Sequence, residues 1–121
     1  MSSRPRVLLA DDYPDILKAL SRLLAQDCEI VGSLADGSAL LETAQRLQPD
    51  VIVLDVNLPN VHSLEACREI TRLNPKTKVI MFTATADPIA GQEFLEAGAC
   101  AFVSKLASVD LLSIIKGLGA N

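Results

Sequence analysis

The chain reads VIVLD over residues 51–55, and this short apolar run ending in an aspartate decides the fold. Three further runs have the same form: VLLADD at 7–12, VIMFT at 79–83 and AFVSK at 101–105. Near-continuous apolar runs of this length are typical of parallel strands buried on both faces. Ligands of an open parallel sheet bind beyond the carboxyl ends of its strands. The polar residues that follow these runs are therefore predicted to share one site.

Helical patterns alternate with the strand-like runs. A weaker second strand is predicted over 28–34. Five helices are predicted: the first over 14–26, the second from Asp36-Gly37-Ser38 to before Pro49, the third from a cap at Ser63 to about 74, the fourth over 87–98 and the fifth from about 108 onward. Alternating strands and helices predict βαβ units with right-handed crossovers. The expected fold is α/β: a flavodoxin-like, three-layer (βα)5 arrangement with a parallel five-stranded sheet of order 2-1-3-4-5. Its switch point lies between the first and third strands.

Composition limits the functional classes. At 121 residues the chain fits one domain, residues 1–121, and half of it is hydrophobic. A net charge of -4 argues against binding of nucleic acid by this domain alone, and no apolar run is long enough to span a membrane. Three widely spaced cysteines without a CxxC pair indicate reduced thiols and a cytoplasmic protein.

The predicted site brings together Asp11, Asp12 and Asp55. Three adjacent carboxylates repel each other unless a cation or protons neutralise them, and such oxygen ligands suit Mg²⁺. Asp55 is the candidate nucleophile, because aspartates form acyl phosphates. Lys105 and the Thr83 hydroxyl are placed to neutralise and bond phosphoryl oxygens. Each of these residues has an ordinary structural explanation by itself, and their order along consecutive strands is what indicates phosphoryl chemistry.

These motifs resemble the receiver domain of two-component response regulators, of which the single-domain chemotaxis receiver is the simplest form. The resemblance spans nearly the whole chain. LLADD at 8–12 is similar to the family's acid pair, DVNLP at 55–59 to its phospho-acceptor motif, and FVSK at 102–105 to its aromatic and lysine positions. The stretch 102–112 is most similar to receivers of NarL/FixJ-type transcription regulators.

The resemblance implies a role for each residue. Asp55 would accept a phosphoryl group from a sensor histidine kinase. Asp12, Asp55 and the backbone carbonyl of Asn57 would bind Mg²⁺, with Asp11 acting through water. Further implied roles are phosphate recognition and switching by Thr83, Lys105 and the small residue Ala84, and an aromatic switch at Phe102.

The same resemblance implies partners. The surface formed by the fourth helix, fifth strand and fifth helix would change on phosphorylation and control an attached or partner DNA-binding output. The domain is expected to be a monomer or a weak, phosphorylation-dependent dimer, without enzymatic activity beyond its own phosphorylation and dephosphorylation. The chain ending favours a receiver fragment of a longer regulator over a stand-alone receiver.

Four positions depart from the common family pattern. Ser63 replaces a glycine, which would be costly if the backbone there needed positive φ. Phe102 replaces the commoner tyrosine and so has no hydroxyl. Leu106 replaces the proline that follows the lysine, which puts the usual cis peptide in doubt. Thr85 stands at a position that influences the attacking water.

Two other functional classes stay open. A phosphatase of the haloacid dehalogenase type would use Asp55 for turnover, but its acid/base aspartate position is Asn57. A binding module, either for flavin mononucleotide or a receiver that signals without phosphate, is discouraged by the acid pair and the complete set of site residues. His62 is expected to be an exposed loop residue.

Overall fold

The computed structural model describes residues 4–84 and 87–119. Five parallel strands form one sheet of order β2-β1-β3-β4-β5, as predicted. In chain order the elements are β1 (Arg6–Ala10), α1 (Pro14–Leu24), β2 (Glu29–Leu34), α2 (Leu40–Leu47), β3 (Val51–Asp55), α3 (Ser63–Leu73), β4 (Lys78–Thr83), α4 (Pro88–Glu96), β5 (Ala101–Ser104) and α5 (Ser108–Gly119), with a 3-10 turn at Lys105–Ala107.

The central strand β3 is buried along its whole length, which explains its unbroken apolar sequence. Successive side chains of a strand point to opposite faces, so each strand supplies both cores. Ile52 and Leu54 join the core under α2, α3 and α4, whereas Val51 and Val53 join the core under α1 and α5. These two cores give the three-layer architecture.

Several helix boundaries differ from the sequence-based expectation. Helix α1 ends at Leu24, two residues early, and the chain continues in a tighter turn in which the Asp27 N–H donates to the Leu24 carbonyl at 3.1 Å. Helix α2 begins at Leu40. The predicted start at Asp36 is instead a turn, in which the Asp36 carboxylate accepts hydrogen bonds from the Ser38 N–H and hydroxyl.

The fourth helix follows its predicted signals. The Asp87 side chain accepts a hydrogen bond from the Ile89 N–H at 3.0 Å, and Pro88 occupies the first turn. Gly98 follows the helix with a φ of +112°, in the region that favours glycine. Among residues 4–84 and 87–119, no peptide bond is cis, so the Lys105–Leu106 bond is trans. None of the described helices is both long and apolar enough to cross a membrane.

Candidate phosphoryl-acceptor site

The carboxyl ends of the strands bring the predicted residues together. Asp55 ends β3 and lies in register with Phe82 of β4, while Thr83 pairs with Ser104, the residue before Lys105. Asp11 follows β1, where its N–H donates to the Leu34 carbonyl of β2 at 3.0 Å. The site therefore forms because neighbouring parallel strands end at the same edge of the sheet.

Three carboxylates form the acidic part of the site. One oxygen from each of Asp11, Asp12 and Asp55 lies within 4.8 Å of the others. Asp11 and Asp55 are only 2% and 4% exposed, whereas Asp12 is open to solvent. Two of the three charges are therefore in surroundings where repulsion is poorly screened.

Lys105 supplies the balancing charge. Its ammonium lies 2.7 Å from Asp11 Oδ2 and 3.5 Å from Asp55 Oδ2. At 2.7 Å the shorter contact has the length of a charge-assisted bond between an ammonium and a carboxylate. A carboxylate oxygen has more than one lone pair, so Asp11 Oδ2 keeps acceptor capacity beside this ion pair.

The electrostatics of the site reflect an excess of negative charge. Burial raises the pKa of the Asp55 carboxyl above its ordinary value, and the neighbouring Asp11 and Asp12 add to this. The Asn57 N–H and Lys105 oppose the rise without cancelling it. For Lys105, burial by itself would lower the pKa of the ammonium, but contacts with Asp11 and Asp55 outweigh burial and raise it.

The residues present fit a divalent cation. One ammonium faces three carboxylates, the donor atoms are all oxygen, and Asp11 Oδ2 has spare acceptor capacity. Oxygen ligands of this kind suit Mg²⁺, which binds through one or two carboxylates and keeps several waters. The resemblance described above implies that Asp12, Asp55 and the Asn57 carbonyl would hold the ion directly and that Asp11 would act through water.

The acceptor loop, residues 56–62, is tied to Asp55 at both ends. The N–H of Asn57 donates to Asp55 Oδ1 at 3.1 Å, and the N–H of Leu58 to the Asp55 carbonyl at 3.3 Å. The Ser63 hydroxyl donates to that same carbonyl at 3.0 Å in a buried position.

The prediction that Ser63 caps α3 is wrong. Ser63 is the first residue of the helix, after His62, and its hydroxyl is bonded to Asp55 instead. Ser63 also needs no positive φ. The left-handed residue of the acceptor loop is Asn60, with a φ of 64°. The serine therefore replaces the usual glycine without strain and adds a bond to the acceptor residue.

Thr83 and Ala84 lie beside this cluster at the end of β4. Thr83 is 2% exposed, and Ala84 is open to solvent. Thr85, one of the four positions that depart from the common family pattern, lies outside the described residues. His62 is exposed, as expected.

Phe102 lies on β5 and packs against α4. Its half-buried ring stacks on Phe94 with centroids 6.0 Å apart and an interplanar angle of 23°. A Cβ at Gly91 would lie 3.1 Å from the Phe102 ring, so the ring rests on the bare backbone of this glycine. Sequence reasoning missed Gly91. The available signal was an isolated glycine inside a helical pattern, which often marks a close approach.

Tyr13 was also missed, and no sequence signal distinguishes it. Its N–H donates to Asp11 Oδ1 at 2.9 Å, and its 64% exposed ring lies under the Lys105 ammonium, 5.6 Å from the ring centroid. A second ring, Phe82, lies 5.8 Å from the same ammonium. The two aromatic faces favour the lysine charge at this position.

Comparison with known proteins agrees with this geometry. Residues 7–116 match the family described as the response regulator receiver domain. The chain belongs to this family. The receiver is 33% identical over 106 residues to the response regulator GacA of Pseudomonas viridiflava. This match covers 86% of the chain and 50% of GacA. It is 36% identical over 115 residues to the transcriptional regulatory protein CutR of Streptomyces coelicolor, covering 94% of the chain and 53% of CutR.

Solved structures agree on the fold. The receiver domain of NarL from Mycobacterium tuberculosis superposes with a TM-score of 0.90 at 24% identity, covering 98% of both chains. The BeF3-activated DrrB receiver domain gives 0.87 at 30% identity, covering 98% of this chain and all of that one. The predicted fold and family are thereby confirmed. The receiver spans about half the length of the curated relatives it matches.

Proposed function

We propose that this chain, residues 1–121, is one receiver domain that is switched by phosphorylation of Asp55. The arrangement that carries the proposal is a buried carboxylate at the end of the central strand, beside two further acids and a lysine. A carboxylate whose pKa is raised by burial and by like charges is typical of a functional site. The proposed donor is the phosphohistidine of a sensor kinase.

In the proposed reaction, one carboxylate oxygen of Asp55 attacks the phosphorus of the phosphoimidazole. An acyl phosphate bond forms as the P–N bond breaks, and the electron pair stays on the imidazole nitrogen. Imidazole leaves neutral when its other nitrogen carries the proton. Asp55 acts as the nucleophile in its ionised form, which the Asn57 N–H and Lys105 favour.

The other site residues align and neutralise the transferred group. Lys105 lies 2.7 Å from Asp11 and 3.5 Å from Asp55, and its ammonium would neutralise a phosphoryl oxygen on Asp55. The Thr83 hydroxyl would donate a second bond, and Ala84 leaves the approach unobstructed. Mg²⁺, held as described above, would supply positive charge to the phosphoryl oxygens during transfer.

Phosphorylation would shift the equilibrium between two packings of the receiver. Recruitment of Thr83 towards the phosphoryl group would allow Phe102 to leave its position on α4 and rotate inward. The α4-β5-α5 surface already exposes large apolar side chains: Ile89 at 74%, Leu106 at 94% and Val109 at 72%. Such side chains suit a protein partner.

The output is proposed to be a DNA-binding segment in the same protein or in a partner, since CutR is named a transcriptional regulatory protein. We propose that the receiver is a monomer or a weak dimer promoted by phosphorylation. Turnover of external phosphoesters is not expected, because Asn57, two residues after the nucleophile, cannot serve as an acid.

Incubation with Mg²⁺ and acetyl phosphate, followed by intact-mass measurement, tests this function. The wild type should gain one phosphoryl group, and the gain should disappear with EDTA or in Asp55→Asn. Asp110→Asn, which changes an exposed acid on α5, should be phosphorylated like the wild type. Absence of an adduct on the wild type, or an undiminished adduct on Asp55→Asn, would refute the assignment.

A further inference from the structure

The turn between β2 and α2 contacts the acceptor loop. The N–H of Gly37 donates to the Pro59 carbonyl at 2.7 Å. Next to it, Asn60 lies close enough to the Asp36 carboxylate to help, after Ser38, to hold its pKa below the usual value. Asp36 and Gly37 of the turn therefore lie against Asn60 and Pro59 of the loop.

Gly37 makes the closest approach in this contact. A Cβ built on Gly37 would lie 2.2 Å from both Cβ and Cγ1 of Val61. Rotating the valine side chain cannot relieve this overlap, because the position of its Cβ is fixed by the backbone. Gly98 is the glycine with positive φ among the described residues, so Gly37 is required here for space and not for its conformational freedom.

The acceptor loop is thus held between two fixed supports. On one side Leu58 and Ser63 bond the Asp55 carbonyl, and on the other Pro59 and Val61 rest on Gly37. Any side chain at position 37 must push the loop backbone away from the turn. Asn57, whose carbonyl is a proposed metal ligand, lies two residues before Pro59 and would move with it.

We propose that the turn between β2 and α2, with Gly37 at its contact point, positions the acceptor loop for metal binding. This inference rests on the proposed function, because it concerns the same Mg²⁺ site. Gly37 touches none of the reacting groups and is a positioning residue. Groups that orient metal ligands typically change metal affinity by about 10- to 100-fold when they are altered.

The test is the Mg²⁺ dissociation constant of the phosphate-free protein, measured by calorimetric titration. Gly37→Ala should weaken binding by about tenfold, at the lower end of that range. Gly117→Ala is the matched control, since a Cβ at Gly117 meets no atom within 4 Å, and it should bind like the wild type. The N–H resonance of Asn57 should shift in Gly37→Ala and not in the control.

A double-mutant cycle with Val61 separates positioning from general damage. Val61→Gly removes the three atoms that lie nearest to the new Cβ. In that background the substitution Gly37→Ala should leave the dissociation constant unchanged within about twofold, because steric coupling is then absent. A tenfold loss that persists without Val61 would overturn the inference, and so would unchanged binding by Gly37→Ala alone.

A second variant covers the case in which Gly37→Ala does not fold. Asp36→Ala adds no atom at position 37 but removes the carboxylate that bonds Ser38 and faces Asn60. It should weaken Mg²⁺ binding several-fold, and full retention of affinity would count against the inference. Failure of the wild type to bind Mg²⁺ is a different result, which would refute the proposed function itself.

Discussion

Replacing Asp55 with asparagine should stabilise the metal-free protein at neutral pH. Asparagine has the same shape and keeps an oxygen to accept the Asn57 N–H bond, but it carries no charge. In the wild type, the Asp55 carboxylate is 4% exposed and stands beside Asp11 and Asp12. The substitution therefore removes a charge that burial and its acidic neighbours disfavour.

The size of this stabilisation follows from the repulsion between Asp55 and the other two acids and its attraction to Lys105. At 4.8 Å, the outer limit of the cluster, repulsion between two buried carboxylates is about 3.5 kcal/mol at an effective dielectric constant of about 20. Attraction to Lys105 at 3.5 Å is about 5 kcal/mol on the same basis, and the exposed Asp12 adds about 1 kcal/mol of screened repulsion. These charge terms nearly cancel, so the cost of burying the carboxylate decides whether Asp55→Asn raises or lowers the free energy of unfolding. We expect a gain of about 1–2 kcal/mol, or about 4–8 °C in Tm for a chain of this size.

The pH dependence distinguishes this explanation from a general packing effect. The pKa of Asp55 is raised in the folded state, so stabilisation by its proton is complete below the ordinary value of 3.8. This stabilisation is lost as the pH rises through the raised folded-state value. The advantage of Asp55→Asn should accordingly be absent in acid, grow with pH, and reach its full size near neutrality.

Urea unfolding in EDTA at several pH values measures the effect. Glu93→Gln, which neutralises an exposed acid on α4, should stay within about 0.5 kcal/mol of the wild type throughout. Saturating Mg²⁺, at about 100 times its dissociation constant, should raise the stability of the wild type by about 2.7 kcal/mol but not that of Asp55→Asn. Destabilisation by Asp55→Asn at pH 7.5, or a gain independent of pH, would show that the electrostatic reasoning is wrong.

Two further predictions concern α4 and the thiols. Gly91→Ala should gain about 0.5–1 kcal/mol of helix propensity but lose a similar amount against the Phe102 ring, 3.1 Å away, so stability should change by less than about 1 kcal/mol. NMR should show shifted ring resonances for Phe102 and unshifted ones for Phe82; an unmoved Phe102 ring would contradict the contact. Burial raises the pKa of all three thiols, that of Cys67 to about 11, but Cys100 is the one of the three that is exposed to solvent, so at pH 8 a thiol reagent should modify Cys100 first. Survival of the fast reaction in Cys100→Ser would contradict this order.

Sequence patterns predicted the fold correctly because they are local. Each strand is a run of apolar residues that pack on both faces of the sheet, and Asp87-Pro88 and Gly98 mark the ends of α4 by their own backbone preferences. The family assignment rests on the same strand ends and is confirmed by comparison. The roles of individual site residues remain predictions, to be decided by the experiments above.

Two helix starts were predicted wrongly because a polar group had a partner in a distant segment. Ser63 fits the pattern of a helix cap, but the buried Asp55 carbonyl takes its hydroxyl instead. Asp36-Gly37-Ser38 fits the start of a helix, but the Gly37 N–H is bonded to Pro59 of another loop. In both cases a contact between segments far apart in the chain outweighed a local preference.

The sequence by itself determined the alternation of apolar strands and amphipathic helices and the strand ends at which three acids, a threonine and a lysine stand, because periodicity and strand ends are properties of neighbouring residues. Only the tertiary structure decided that Lys105 lies nearer to Asp11 than to Asp55, that Gly91 receives the Phe102 ring and that Gly37 supports Val61. These contacts depend on distances of a few ångströms between elements separated in sequence. Such distances are fixed by how the layers pack, and no local pattern records them.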